Sequence, residues 1–169
     1  MSDNPYAPPS AELEVPVAEG EVQLASLGKR LGAAIIDTII LIAIQFPLLM
    51  ISGYWNEAME GRMDMGYMIF AGLSGIIVYL LINGYLLAKR GQSVGKMLLK
   101  TQIVSVQDGR ILPLPRLVGL RLLPVWVVSM IPLVGNILPL IDVLFIFRKD
   151  RRCVHDLIAG TRVVDYQAA

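Results

Sequence analysis

Two apolar runs, residues 27–50 and residues 65–88, limit what this chain can fold into. Each is long enough to cross a hydrocarbon core ~30 Å thick, which takes about 20 helical residues. The apolar residues come in blocks, without the alternation of a half-buried strand or the stripe of an amphipathic helix. Hydrophobic residues make up 55% of the 169 and charged residues 17%, and the mean hydropathy is +0.61. Soluble domains lie near about 45–50% and about 25%. The expected class is an all-α membrane protein.

Residues 1–26 read differently. They carry Asp3, Glu12, Glu14, Glu19 and Glu21 with Pro5, Pro8, Pro9 and Pro16, and neither Lys nor Arg. Low hydrophobicity with uncompensated charge predicts a disordered acidic tail, and there is no basic region leading into an apolar one as in a signal peptide. The remainder, 27–169, reads as one membrane domain. Its single Cys153 excludes an intramolecular disulfide framework.

Charge asymmetry orients the runs. The 51–64 connection holds Glu57, Glu60 and Asp64 against Arg62, whereas 89–116 holds Lys89, Arg90, Lys96, Lys100, Arg110 and Arg116 against Asp108. The positive-inside rule places the first outside and the second in the cytoplasm, and Lys29 and Arg30 place the N-terminus there too. A third apolar block, 117–147, lies between Arg116 and the basic stretch "RKDRR", which reads as an anchor to anionic lipid. With both ends inside, it must turn back. Pro132 and Gly135 supply the turn, giving two short or re-entrant helices near 117–131 and 136–147 and about four membrane segments in all. A single kinked span with an exterior C-terminus is the alternative. On the cytoplasmic side, "TQIVSVQDGRILPL" predicts a β-hairpin about Asp108 and Gly109, and "GTRVVDY" a further strand.

Polar residues inside these blocks mark the candidate site. Asp37 lies seven residues after Arg30, about 10 Å into the membrane at the helical rise. Asp142 comes six residues before Arg148, about 9 Å deep, while Asn83 and Arg121 fall about 7–8 Å deep on the same rise. Four side chains from four segments thus share one layer. Helical side chains lean toward the N-terminus, so Arg30 points away from Asp37, and Arg121 is the expected partner of Asp37. Arg30 is left to reach lipid phosphate or the "HD" at 155–156. Intramembrane carboxylates facing a bundle interior are candidate ion or proton ligands, and equally a buried structural pair that fixes helix arrangement. Asp142 reads either as an ion ligand or as a structural partner of Arg121 or Arg30. His155 reads as a helix cap or a proton relay. "GQSVGK" lacks the spacing of a phosphate loop, so Gly91 and Gly95 are expected to permit close approach of the loop to the helix ends.

Four stretches carry a resemblance: "KRLGAAIID", "GQSVGKMLLKTQIV", "RLVGLRLLP" and "RKDRRCVHDLIAGTRVV". In order and spacing they resemble the RDD family of small bacterial membrane proteins, named for one arginine and two aspartates. Arg30 and Asp37 match the arginine and first aspartate, and the second is Asp156 or Asp142, Asp156 being preferred. The resemblance implies a polytopic inner-membrane protein, for which transport has been proposed and sodium–proton antiport linked to some members.

No enzyme constellation emerges, because serine–histidine–acid, paired-cysteine and metal-ligand spacings are all absent. No metal, cofactor or nucleic-acid partner is expected. Two classes remain: a cation–proton exchanger using Asp37 and Asp142, and a non-transporting accessory or scaffold protein. So few segments enclose no path alone, so transport implies a homo-oligomer surrounded by lipid, with a monovalent cation or proton as cargo.

Overall fold

The computed structural model describes residues 23–62, 64–129, 131 and 134–166. The disordered tail expected at 1–26 lies outside these residues up to position 22. Helix α1 (Leu27–Ile51) starts at Ser26, whose hydroxyl accepts from the Lys29 backbone N–H at 3.3 Å. This is the usual way of satisfying one orphan donor of a first turn. A short helix α2 (Tyr54–Met59) carries the chain over to α3 (Met65–Arg90), which Asp64 caps by accepting from Tyr67 N–H at 3.0 Å. Gly91 ends α3 in the left-handed region (φ +60°). A Cβ there would also lie 2.6 Å from the Ile103 carbonyl oxygen, so glycine is required twice over.

Both expected spans are present, extended by Ile51 and by Lys89 and Arg90. Only 6% of the apolar window of α1 and 11% of that of α3 is buried. Ile39, Ile77 and Leu81 are 60%, 57% and 79% exposed. The core helix of a soluble protein would hide such residues; two helices displaying them suit a lipid environment. Gln45 donates from Nε2 to Ser74 Oγ at 2.7 Å and to the Ala71 carbonyl at 3.2 Å, pinning α1 to α3.

The third block is a broken helix followed by a return. Helix α4 (Val94–Leu98) and strand β1 (Thr101–Ser105) come first. Then α5 (Leu114–Leu117) passes through a π-helical turn, Val118–Leu122, into α6 (Leu123–Ser129). Pro124 cannot donate to the carbonyl four residues back, and a π turn just before it accommodates the missing bond. After a reversal at Ile131, α7 (Val134–Leu144) runs into a 3₁₀ turn, Phe145–Phe147. Gly135 N–H donates to the Ile131 carbonyl at 2.7 Å, and a Cβ on Gly135 would meet the Ser129 oxygen at 2.4 Å. Gly135 therefore makes the turn, as expected; Pro132 lies outside the described residues. The helical stretch 114–129 is about 24 Å long and α7 about 16 Å, both short of a ~30 Å core. Among the described residues two helices are long enough to cross, not four.

Helix α8 (Val154–Ala159) and strand β2 (Thr161–Asp165) close the chain. The expected β-hairpin about Asp108 and Gly109 is not formed. The turn is there, with Gly109 at φ +67° and its N–H bonded to the Ser105 carbonyl at 3.1 Å. The returning run meets Pro113 and Pro115, which have no N–H to give a ladder. β1 pairs antiparallel with β2 instead, from Thr101 opposite Asp165 to Ser105 opposite Thr161. Leu24 bridges to Val164 on the other edge of β2. Ala25, Leu87, Ile103, Leu112, Leu117 and Val163 pack into the core beneath this sheet. Ala25, grouped with the tail on composition, is fully buried there.

These pairings put the start of α1, the segment after α3 and the final strand at one end of the helix pair, so the third block returns to the side it left. A single kinked span ending on the far side is incompatible with the β1–β2 ladder. On sealed vesicles, a membrane-impermeant maleimide should label Gln107→Cys and a C-terminal cysteine from the same face, and Glu60→Cys only from the other. Labelling of all three from one face would overturn the two-span arrangement.

Candidate functional site: a buried arginine–aspartate cluster

Asp156 lies in the first turn of α8 and is fully buried. Its Oδ2 accepts from Arg30 Nη2 at 2.7 Å and from the Cys153 backbone N–H at 3.2 Å. Its Oδ1 accepts from Arg121 and from Thr161 Oγ1, the latter at 3.0 Å. Arg30 and Arg121 are only 9% and 4% exposed. Arg30 also donates to the Arg151 carbonyl, and Arg121 to Thr161 Oγ1 at 2.7 Å. Arg152 reaches over the cluster to the backbone oxygens of Thr161 and Asp156 at 3.0 and 3.1 Å. Burial alone would push the Asp156 carboxyl up. Arg121 foremost, then His155 and Arg30, outweigh it and hold it well below the usual carboxylate range.

The four residues expected in one layer do lie at this end, but with other partners. Asp37 does not pair with Arg121. Its oxygens accept from the Ser93 hydroxyl and, at 2.8 Å, from the Gly95 backbone N–H. The first turn of α4 has free amides, and a carboxylate from α1 satisfies one of them. This requires intimate contact: a Cβ on Gly95 would sit 2.2 Å from the Ala33 carbonyl oxygen. The close approach expected of Gly91 and Gly95 is present at both. Asn83 accepts from Val94 N–H at 2.9 Å and donates to the Tyr79 carbonyl at 3.2 Å. Asp142 pairs with neither arginine; it accepts from the His155 N–H at 2.9 Å and faces His155 Nδ1 at 2.5 Å. Thus Asp142 caps the turn that His155 was expected to cap.

Ser93, Lys96, Thr161 and Arg152 escaped the sequence reading. Ser93 had a legible signal, a capping serine opening a short helix. Thr161 and Arg152 act through contacts that spacing does not reveal.

His155 stands between two cavities. One, of about 140 Å³, is lined by Pro124, Val128, Asp142 and His155 among others. The second, of about 350 Å³, is lined by Arg30, Lys96, Arg121, Cys153 and His155 with apolar neighbours. Asp142, Cys153 and His155 each bring one ligand atom within 4.8 Å of the others. That cluster is poorly suited to a metal. Arg30 Nη2 lies 3.8 Å from Cys153 Sγ, Asp142 already holds the imidazole, and burial with Asp156 nearby pushes the thiol up to about 11.

Two outward-apolar helices closed at one end by buried ion pairs define a small integral membrane protein. A model of the RDD family matches residues 24–160, and the chain belongs to that family of membrane proteins. No curated protein and no solved structure matches the chain. Among the described carboxylates, Asp156 is the one bonded to Arg30.

Removing Asp156 leaves two buried guanidinium groups facing each other. Asp156→Asn should lower stability in detergent by about 3–5 kcal/mol, the usual cost of breaking a buried pair. The combined Arg121→Gln and Asp156→Asn change should be far less than additive, and Asp37→Asn with Arg121→Gln much closer to additive. Equal coupling in the two cycles would contradict the assignment. Because the folded-state pKa of Asp156 is depressed, its contribution is fully present above the unfolded value of about 3.9 and is lost only as pH falls below it.

Proposed function

We propose that the protein is a multi-pass bacterial inner-membrane transporter with cytoplasmic termini, not an enzyme. It exchanges a monovalent cation for protons as a homo-oligomer. The basic residues of 89–116 and 148–152 support the orientation. The observation that carries the transport reading is the Asp142–His155 pair, a buried carboxylate and a partly buried imidazole at 2.5 Å, with His155 bordering both cavities. Asp37, first in line by depth, is committed to Ser93 and Gly95, and Asp156 to two arginines. Of the buried acids described, Asp142 is thus the one partnered by an imidazole, the side chain whose ordinary titration lies nearest neutrality.

Burial, then Arg121, lower the His155 imidazole below its ordinary value, with Asp142 and Asp156 opposing. Arg30, Lys96 and Cys153 complete its surroundings. The ring is then harder to protonate than a free imidazole, donates Nδ1–H to the Asp142 carboxylate, and takes up a proton only at a more acidic pH than a free imidazole would. Protonation adds a charge beside Arg121 and weakens the hold of Asp142 on a cation, which is the antagonism an exchanger needs.

The commitment of Asp37 and Asp156 favours a second reading, a non-transporting accessory or scaffold protein whose polar layer only holds its segments together.

The deciding measurement is proton flux driven by sodium, lithium or potassium in sealed vesicles. Wild type should exchange, with a flux that depends on pH on the acid side of neutrality, where His155 can change its protonation state. Asp142→Asn and His155→Gln should abolish the flux while the oligomer, checked by size-exclusion chromatography, stays intact. No flux from wild type with any of the three cations would leave the accessory reading in place.

A further inference from the structure

The larger cavity is cationic on one side and greasy on the other. Its polar wall is Arg30, Lys96 and Arg121, and its apolar wall includes Leu31, Val143 and Phe147. Arg30 and Arg121 both bind Asp156, and Asp37 binds Ser93 and Gly95. Lys96 forms no ion pair among the described residues. Three cations therefore face two carboxylates, Asp37 and Asp156; Asp142 borders the smaller cavity beyond His155 and is not among the charges that act on Lys96. One positive charge is left without a counterion inside a largely apolar chamber, and such a charge is costly unless paired.

We propose that this chamber binds the phosphodiester head group of an anionic phospholipid, with Lys96 as the cation that receives it. Three features favour a lipid over a free anion. Arg30 and Leu31 belong to the first turns of α1, the level at which head-group phosphates lie beside a spanning helix. Leu31 and Phe147, at the edge of the chamber, are 52% and 71% exposed and offer an apolar track for an acyl chain. The residual charge of one matches a phosphodiester, and a volume of about 350 Å³ is at the small end of ligand pockets, roughly 300–1,000 Å³. Burial first, and Arg121 next, push the Lys96 ammonium down to about 8, the response of a cation held without its counterion. A bound phosphodiester would reverse that push.

The site is independent of transport, so its test requires no flux. Native mass spectrometry of the full chain, purified in mild detergent with phosphatidylglycerol and phosphatidylcholine in equal amounts, should show one phosphatidylglycerol retained per chain in preference to phosphatidylcholine. Lys96→Gln should lower that retention by about tenfold, the equivalent of 1.4 kcal/mol. Arg110→Gln, which removes an exposed charge from the loop after β1, should leave it unchanged. Ala34→Trp keeps every charge and fills the chamber, and should displace the lipid even if the Lys96 variant fails to assemble. Equal retention of the two lipids, or undiminished retention in Ala34→Trp, overturns the proposal. Displacement of the lipid by millimolar inorganic phosphate, with short-chain phosphatidylglycerol no better a competitor, would make this a free-anion site and overturn it equally.

Discussion

One carboxylate holds this fold closed. Asp156 is shared by guanidinium groups from α1 and from the π turn, and by the Thr161 hydroxyl at the start of β2. Taking three charges out of water costs several kcal/mol each, and the arrangement survives because each oxygen of Asp156 accepts two hydrogen bonds and both arginines find a further acceptor. The clamp makes the segments mutually dependent. Without α8 and β2, Arg30 and Arg121 would be two desolvated cations at the ends of apolar helices. Without them, Asp156 would be a buried anion in a six-residue helix too short to be stable alone.

A second device recurs at the same end. Asp37 from α1 caps the first turn of α4, and Asp142 from α7 caps the first turn of α8. In each case a carboxylate on a longer apolar helix docks a short helix, adding an acceptor to the cap its own sequence supplies. The membrane explains the economy. Amides freed at a helix start near hydrocarbon cannot rely on solvent, so an acid on a neighbour supplies the acceptor. Such acids look like ion ligands when only their depth is considered. Their partners, backbone N–H groups, leave no trace in the residue pattern.

That distinction explains what was legible. The spans at 27–50 and 65–88 emerged almost to the residue, because length and apolarity are local properties. The reversal near Gly135 did too, because glycine and proline act where they stand. The gathering of Asp37, Asn83, Arg121 and Asp142 at one end followed from counting helical rise. Which groups they bond did not. The link between Arg121 and Asp156 spans 35 residues and that between Arg30 and Asp156 spans 126, and both are decided by how α8 packs against the π turn. The strand pairing failed for a similar reason. Asp108 and Gly109 announce a hairpin, but Pro113 and Pro115 withhold the donors, and Thr161–Asp165 can fill the ladder at every position.

The polarity of the molecule is lopsided, and this limits any path through it. The charged clusters sit at the sheet end. In the seam between α1 and α3 the described side-chain bonds are those of Gln45 with Ser74 and Ala71, and Gln45 Oε1 is buried without a partner. Two helices with exposed Ile39, Ile77 and Leu81 enclose nothing between them. An ion passing from the sheet end to the far side would therefore need walls contributed by another copy of the chain. In such an assembly Gln45, roughly 12 Å beyond Asp37 along the helix, is the next polar group an ion would meet. A spare acceptor oxygen at that depth is costly to leave unbonded, and a neighbouring subunit or a partly hydrated cation would each satisfy it. In the proposed exchanger the same atom would link the oligomer to the path: whatever completes the bond of Gln45 would also decide whether the apolar stretch between the two ends can be crossed.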